Sequence, residues 1–299
     1  MRLASCLLAV LALGCRRDKD AEPMDTGLVD AMPPEITDDE PLGPSVDACY
    51  LGQARDGRTC VDASPIASTV DGYDYPSPFQ GSSQYLAPLR FLDLADLDPE
   101  LPLAPNFVLG EVTNRGRGQY GVVQTHAIDR LQAVRDAVGL IVVNSGYRSP
   151  GHNASIPGAA SSSRHLYGDG FDLDPGAVDL NTLAAACEDE GAGYVEVYVS
   201  HVHCDWREDP LDRAFFDGVR QVPFASTPAR DAMIAMDGPR LVAPAEGFPE
   251  GEPLREWSAY SEAGSLLATE TGRTFEPPIA TSRVTVRVGR VVERSIEIR

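Results

Sequence analysis

Four of the chain's five histidines fall between Ser145 and Asp205, namely His152, His165, His201 and His203. Three clusters in that stretch carry groups able to do chemistry. They are Ser145-Gly146-Tyr147-Arg148-Ser149-Pro150, the run from Ser163 to Asp172, and His201-Val202-His203-Cys204-Asp205. The imidazole of His165, the carboxylate of Asp172 and a later imidazole, from His201 or His203, are ligands of the kinds a catalytic zinc ion takes, its fourth position being left to water. That donor set points to metal-assisted hydrolysis. The spacing of His165 and Asp172 is wrong for one helical turn. With Gly168 and Gly170 between them it suits a loop folding into a strand, where small residues let the backbone approach a metal closely.

The elements that must hold these groups can be read on either side of them. Thr125 is a good N-cap for a helix from about His126 to Val138, with Ile128, Leu131, Val134 and Val138 spaced to bury one face. His126 then sits in the first turn as a surface residue. Gly139 ends that helix, and Leu140 to Val143 forms a strand that delivers the chain to Ser145. A second helix, about Leu180 to Asp189, carries Cys187 and is broken by Gly191-Ala192-Gly193. Tyr194 to Trp206 reads as a single strand. Simple alternation along it puts His201, His203 and Asp205 on one face and Glu196, Tyr198, Ser200, Val202 and Cys204 on the other. Cys204 would then point away from the metal, toward the helix that bears Cys187.

Ser-Gly-Tyr-Arg-Ser-Pro at 145–150, His-x-x-Gly-x-x-x-Asp at 165–172 and His-x-His at 201–203 resemble, in this order, the hedgehog/zinc D-Ala-D-Ala carboxypeptidase superfamily. The resemblance covers roughly residues 88–209. It implies an α+β fold with an antiparallel sheet and flanking helices, one Zn2+ ion, and cleavage of peptidoglycan stem peptides or related dipeptides. Carried over by position, His165, Asp172 and His203 match the metal ligands. Arg148 matches the arginine that faces the substrate carbonyl or carboxylate. The better-known members place Glu or Asp three residues before the last ligand, and here that position is Ser200. His201 and Asp205 are therefore the candidates for the general base, while Glu196 would need a bulge to reach the metal. Tyr147, Ser163 and Tyr167 flank the motifs as candidates for substrate contact, the two tyrosines equally as packing of the cleft wall. His152 reads as a loop-shaping residue.

The rest of the chain says where such a site would work. Arg2 followed by the apolar run Leu3 to Leu13 is a targeting segment, too short to span a bilayer as a stable helix. Its end, Leu11-Ala12-Leu13-Gly14-Cys15, resembles a bacterial lipobox, with Ala12 where leucine is usual. That implies lipidation of Cys15 and a membrane contact through this N-terminal lipid, an ordinary cleaved signal peptide being the alternative. Either implies export to the periplasm or cell envelope. Export makes Cys49, Cys60, Cys187 and Cys204 candidates for disulfides. Of three possible pairings, Cys49–Cys60 and Cys187–Cys204 each close a short loop.

Residues 16–47, rich in Asp, Glu, Pro and Gly, read as a disordered acidic tether. Residues 48–87 read as a loop-rich, disulfide-stapled region, 88–210 as the peptidase domain and 211–237 as a connector. From 238 to 299 the signals are β: Leu254 to Ser261, Leu266 to Thr269, Arg283 to Val288 and Val291 to Ile298, with Gly289-Arg290 as a hairpin turn. These suggest a small sandwich of immunoglobulin-like type. With 25 Lys+Arg against 45 Asp+Glu, the net charge of -20 argues against nucleic acid and anionic lipid head groups as partners. The expectation is an exported zinc peptidase of carboxypeptidase or endopeptidase type. The alternatives are a zinc-containing cell-wall or peptide-binding module without turnover, and a zinc amidase or peptidase of non-wall peptides.

Overall fold

The computed structural model describes residues 44–54, 57–216, 230–248 and 251–298. The leader, Cys15 and the tether up to residue 43 lie outside the described residues, as do residues 217–229 of the connector. Leu42–Arg299 form one compact unit. Within the described residues no helix is long and apolar enough to cross a membrane.

A four-stranded antiparallel sheet organises the first part of this unit. Its strands are β3 (Val142–Ser145), β4 (Gly170–Asp174), β5 (Tyr194–Val197) and β6 (Val202–Asp205), in the order β3-β4-β6-β5. Helices α1 (Thr125–Val138) and α2 (Leu180–Asp189) accompany it. One face is apolar. Val195, Val197, Val202 and Cys204 join Leu131, Val134, Leu183 and Cys187 in the core, and Cys187–Cys204 ties β6 to α2.

The chain before residue 88 is more than a lead-in. Strands β1 (Val46–Tyr50) and β2 (Thr59–Ala63), stapled by Cys49–Cys60, bury Ala48, Tyr50, Val61 and Ala63 in that same core. The Tyr50 hydroxyl donates to Val123 O at 2.7 Å. Further along, Gln84 O and the Tyr85 ring reach the motif itself. Fully buried Arg164 donates to Gln84 O at 2.6 Å and to both carboxylate oxygens of Asp169, with its guanidinium over the Tyr85 and Tyr167 rings. Opening such a buried pair by deleting one partner costs about 3–5 kcal/mol, because the other charge is left dry and uncompensated. The loop that presents His165 is therefore clamped from below.

Helix α1 begins one residue earlier than expected and is capped differently. Gln124 takes the N-cap position without a side-chain cap, and the distant Asp212 carboxylate accepts from both the amide and the hydroxyl of Thr125 at 3.1 and 2.6 Å. His126 is half-buried, not a surface residue, and burial holds its pKa down.

The second part is β-rich with its own core. Strands β7 (Arg255–Tyr260), β8 (Leu266–Thr271), β9 (Arg283–Val288) and β10 (Val292–Glu297) form an antiparallel sheet in the order β8-β7-β9-β10. A three-stranded sheet of Ala235–Asp237, Arg240–Val242 and Thr274–Phe275 adds Leu241 and Phe275 to the core formed with Trp257, Ala259, Val284, Val286 and Val288. Gly289 and Arg290, both at positive φ (58° and 65°), make the tight β9–β10 turn that favours the strands' own twist. This part meets edge strand β5: Val197 N–H donates to Gly289 O and Leu254 N–H to Val197 O, at 2.9 and 3.0 Å.

Candidate metal site

One transverse row of the sheet carries the site. The β3–β4 register sets Ser145 opposite Asp172, a bulge after Val143 bringing it there; β4–β6 sets Asp172 opposite His203; and β6–β5 sets His203 opposite Glu196. Residues directly opposite each other share a face, so these four side chains project together from the face opposite the apolar core.

His165 reaches the row from the short helical turn Arg164–Tyr167. The turn ends at Gly168, whose φ is 75° and where an added Cβ would lie 2.2 Å from Val122 O. Glycine is required there, and the chain reverses straight into β4 and Asp172. His165, Asp172 and His203 are all buried, and each offers a ligand atom within 4.8 Å of the other two. His165 Nδ1 donates to Gly146 O at 2.7 Å, which leaves Nε2 as the bare nitrogen. That Nε2 is buried without a hydrogen-bond partner and stands 3.3 Å from Asp172 Oδ1. His203 Nδ1 faces the same oxygen at 2.9 Å, while its Nε2 faces Asp205 Oδ2 at 3.2 Å.

These distances fit a metal. Ligand bonds of about 2.0–2.1 Å at tetrahedral angles put donor atoms about 3.3 Å apart. Each histidine also turns its second nitrogen to an oxygen acceptor, the arrangement that orients metal-bound imidazoles. Asp172 Oδ2 accepts from Arg148 Nη2 at 2.7 Å, which leaves Oδ1 to the histidines. In the metal-free site, burial opposes the charge on His203, but its hydrogen bonds to Asp172 and Asp205 outweigh that and push the pKa up to about 10. Asp172 is held well below the carboxylate range by its two histidines against the opposing effect of burial.

The other expected residues fall differently. Asp205 does lie on the metal face, but Arg207 donates to both its oxygens and His203 takes one of them. Burial alone would raise its pKa; Arg207 and His203 hold it far below the ordinary carboxylate range. It stands at the His203 nitrogen that faces away from Asp172, placed to orient that ring. The His201 ring stacks on Tyr198, with centroids 4.6 Å apart, and its Nδ1 meets Ser200 Oγ at 3.0 Å, outside the three-ligand cluster. Tyr147 and Tyr167 are packed in the wall: Tyr147 OH meets Tyr75 OH at 3.1 Å, and Tyr167 lies under Arg164. Substrate cannot reach either ring without displacing that packing. Ser163 precedes the helical turn of His165 and is half-buried. Arg148 is also buried, its Nε donating to Ser145 Oγ at 2.9 Å.

Glu196 is the main correction. Tyr194 to Trp206 is a hairpin, not one strand: Tyr198 N–H donates to His201 O at 2.9 Å and the chain turns through Val199-Ser200. The turn inverts the alternation, so Glu196 and Tyr198 share the face of His203, and no bulge is needed. Glu196 is buried there. Its oxygens accept from Arg230 Nε and Nη2 at 2.7 and 2.9 Å, and the Tyr194 hydroxyl donates to Oε2 at 3.0 Å. Val199-Ser200 signals a turn only through Ser200, and the Gly, Asn or Asp usual in a tight hairpin is absent.

Comparison with known proteins agrees with this geometry. Residues 105–205 match the family model for peptidase M15. The zinc D-Ala-D-Ala carboxypeptidase of Streptomyces albus G is 44% identical over 64 residues, which cover 21% of this chain and 25% of that protein. The chain thus spans about a quarter of the length of this curated relative. No solved structure matches.

Proposed function

We propose that the protein is a zinc peptidase of peptidoglycan stem peptides or cross-links, exported and held to a membrane by a lipid on Cys15. The observation that carries the reading is the convergence of His165 Nε2, Asp172 Oδ1 and His203 Nδ1, each backed by its own second partner. A zinc ion bound by these atoms supplies a Lewis acid and lowers the pKa of its water to about 7. The similarity to the Streptomyces albus G carboxypeptidase supports both the metal and the substrate class. The two disulfides fit an oxidising compartment.

The chain's own residues divide the remaining work. Arg148 holds Asp172 Oδ2 and so fixes which oxygen faces the histidines. Asp205, steadied by Arg207, fixes the His203 ring. Glu196, across from His203 on the same face, is the carboxylate we assign to proton transfer from water to the leaving amine. The all-β part, which we take as immunoglobulin-like, acts as a spacer or binding module.

A second reading, a wall- or peptide-binding module without turnover, draws on one observation. Both carboxylates beside His203, Asp205 and Glu196, are held by arginines. Mass-spectrometric muropeptide analysis separates the two. The zinc-loaded protein is incubated with sacculi beside a His165→Ala control. Loss of a terminal alanine marks a carboxypeptidase and conversion of dimers to monomers an endopeptidase. Unchanged muropeptides from folded, zinc-loaded protein would rule out the peptidase and leave the binding module.

A further inference from the structure

We propose that Arg117, which lies outside the motifs that mark the metal site, receives the carboxylate terminus of the bound peptide; this rests on the peptidase reading above. Family resemblance gives that task to Arg148. Arg148, however, is 4% exposed and spends its guanidinium on Asp172 Oδ2 and Ser145 Oγ. Its charge answers a metal ligand, so a substrate carboxylate would have to compete with that ligand for it.

Arg117 is free of that conflict. Its Nη1 donates to the same Ser145 Oγ at 2.9 Å, so two guanidiniums meet at one hydroxyl in the row that holds Asp172. Arg117 is half-buried, and no carboxylate among the described residues lies within ion-pair distance of it. Its backbone is fixed. The Asn114 side chain caps the turn at Gly116 N–H, and Ser149 Oγ donates to Arg117 O at 2.6 Å.

Two grooves meet at this side chain. One, of about 160 Å³, runs along Asn144, Ser145 and Gly146. The other, open and about 470 Å³, is lined by Gln119, Ser149 and His152. Glu111 lines the first groove, but its Oε2 is turned to the Val108 amide; Asp71 lines the second without an ion pair to Arg117. Burial first, and then the charges of Arg117 and Arg148, hold the His152 pKa below its ordinary value. In a chain of net charge -20 an uncompensated cation on the hydroxyl of Ser145, the residue opposite Asp172 in the sheet, selects for an anion. The planar guanidinium fork matches a carboxylate in two-point contact.

The test measures binding by calorimetry to the zinc-loaded protein. The probe is an acetyl-lysyl-D-Ala-D-Ala peptide whose last peptide bond is reduced to a methylene-amine, offered as free acid and as C-terminal amide. The wild type should prefer the acid by about tenfold or more, the range of a charge-assisted contact. Arg117→Gln should remove that preference while amide affinity and bound zinc stay constant, and Arg117→Lys should restore part of it. A loss that were merely structural would lower both probes together. A preference that survives Arg117→Gln, or a wild type that binds acid and amide equally, overturns the proposal. Turnover of the ordinary peptide is read alongside. Intact preference without cleavage sinks the peptidase reading and leaves the Arg117 assignment. Cleavage without preference does the reverse, and a wild type that binds neither probe removes both.

Discussion

The two four-stranded sheets among the described residues spend their faces in opposite ways. In the C-terminal sheet Trp257, Ala259, Val284, Val286 and Val288 are buried on one face, while Glu256, Ser258, Thr285 and Arg287 on the other remain partly or fully exposed. That is the ordinary arrangement of an antiparallel sheet, with polar groups solvated at no cost. In the β3-β4-β6-β5 sheet, strands β4, β6 and β5 are buried on both faces, and the second face carries Asp172, His203, Asp205 and Glu196, with Ser145 as the buried end of the more exposed β3. Dry charges cost several kcal/mol each unless paired, and here each carboxylate is paired. A sheet face built for stability alone would not need this network. The contrast marks where function sits.

The largest effect that would sharpen this contrast is expected from His165→Ala. Loss of one of three ligands should abolish bound zinc, read by metal analysis, and with it any muropeptide cleavage. Thermal unfolding of the C-terminal part should be unaffected. Next, Trp257→Ala should destabilise the C-terminal core by about 3–5 kcal/mol, the range for a buried aromatic, seen by chemical denaturation. Zinc content at the other sheet should be retained. If removing Trp257 emptied the metal site, the two regions would not be separable in this way. Asp205→Asn should lower zinc affinity by about 10- to 100-fold, the usual cost of losing a partner behind a metal-bound histidine. Competition with a chromophoric chelator measures it.

The pH response should also divide the two regions. His203 has a pKa raised to about 10 without metal, so its charge stabilises the metal-free fold. That contribution is complete below the ordinary value of about 6.5 and is lost as pH rises through about 10. Denaturation midpoints of chelator-treated protein should therefore fall across this window, and zinc should bind with release of a proton. A midpoint flat from pH 6 to 10 would contradict the arrangement of His203 between two carboxylates. The smallest effect belongs to the solvated face: Thr285→Ala loses only the contact with Ser295 Oγ and should change stability by less than about 0.5 kcal/mol.

Much of this architecture is legible in the amino-acid sequence. The bounds of α2, the main C-terminal strands, the Gly289-Arg290 turn and both disulfides follow from local pattern, because capping, alternation and turn chemistry act within a few residues. Tyr147 and Tyr167 are ambiguous in sequence for the opposite reason. Only Tyr75 and Tyr85, brought in from elsewhere, show that these rings are wall. Thr125 has the residue type of a cap, yet Asp212, 87 residues away, takes that role.

The sequence by itself determined the candidate ligand set, the glycine at 168 that lets His165 and Asp172 converge, and the alternation that turns Cys204 away from them. These depend on residue type and short spacing. The tertiary structure alone decided that Glu196 stands beside His203 and that Arg230 holds it. A turn through Val199-Ser200 inverts the face of every residue before it, because side chains in a strand repeat with a period of two. Arg230, Asp212 and Arg117 then reach their partners only once the chain has folded, and no local pattern encodes a contact made at that distance.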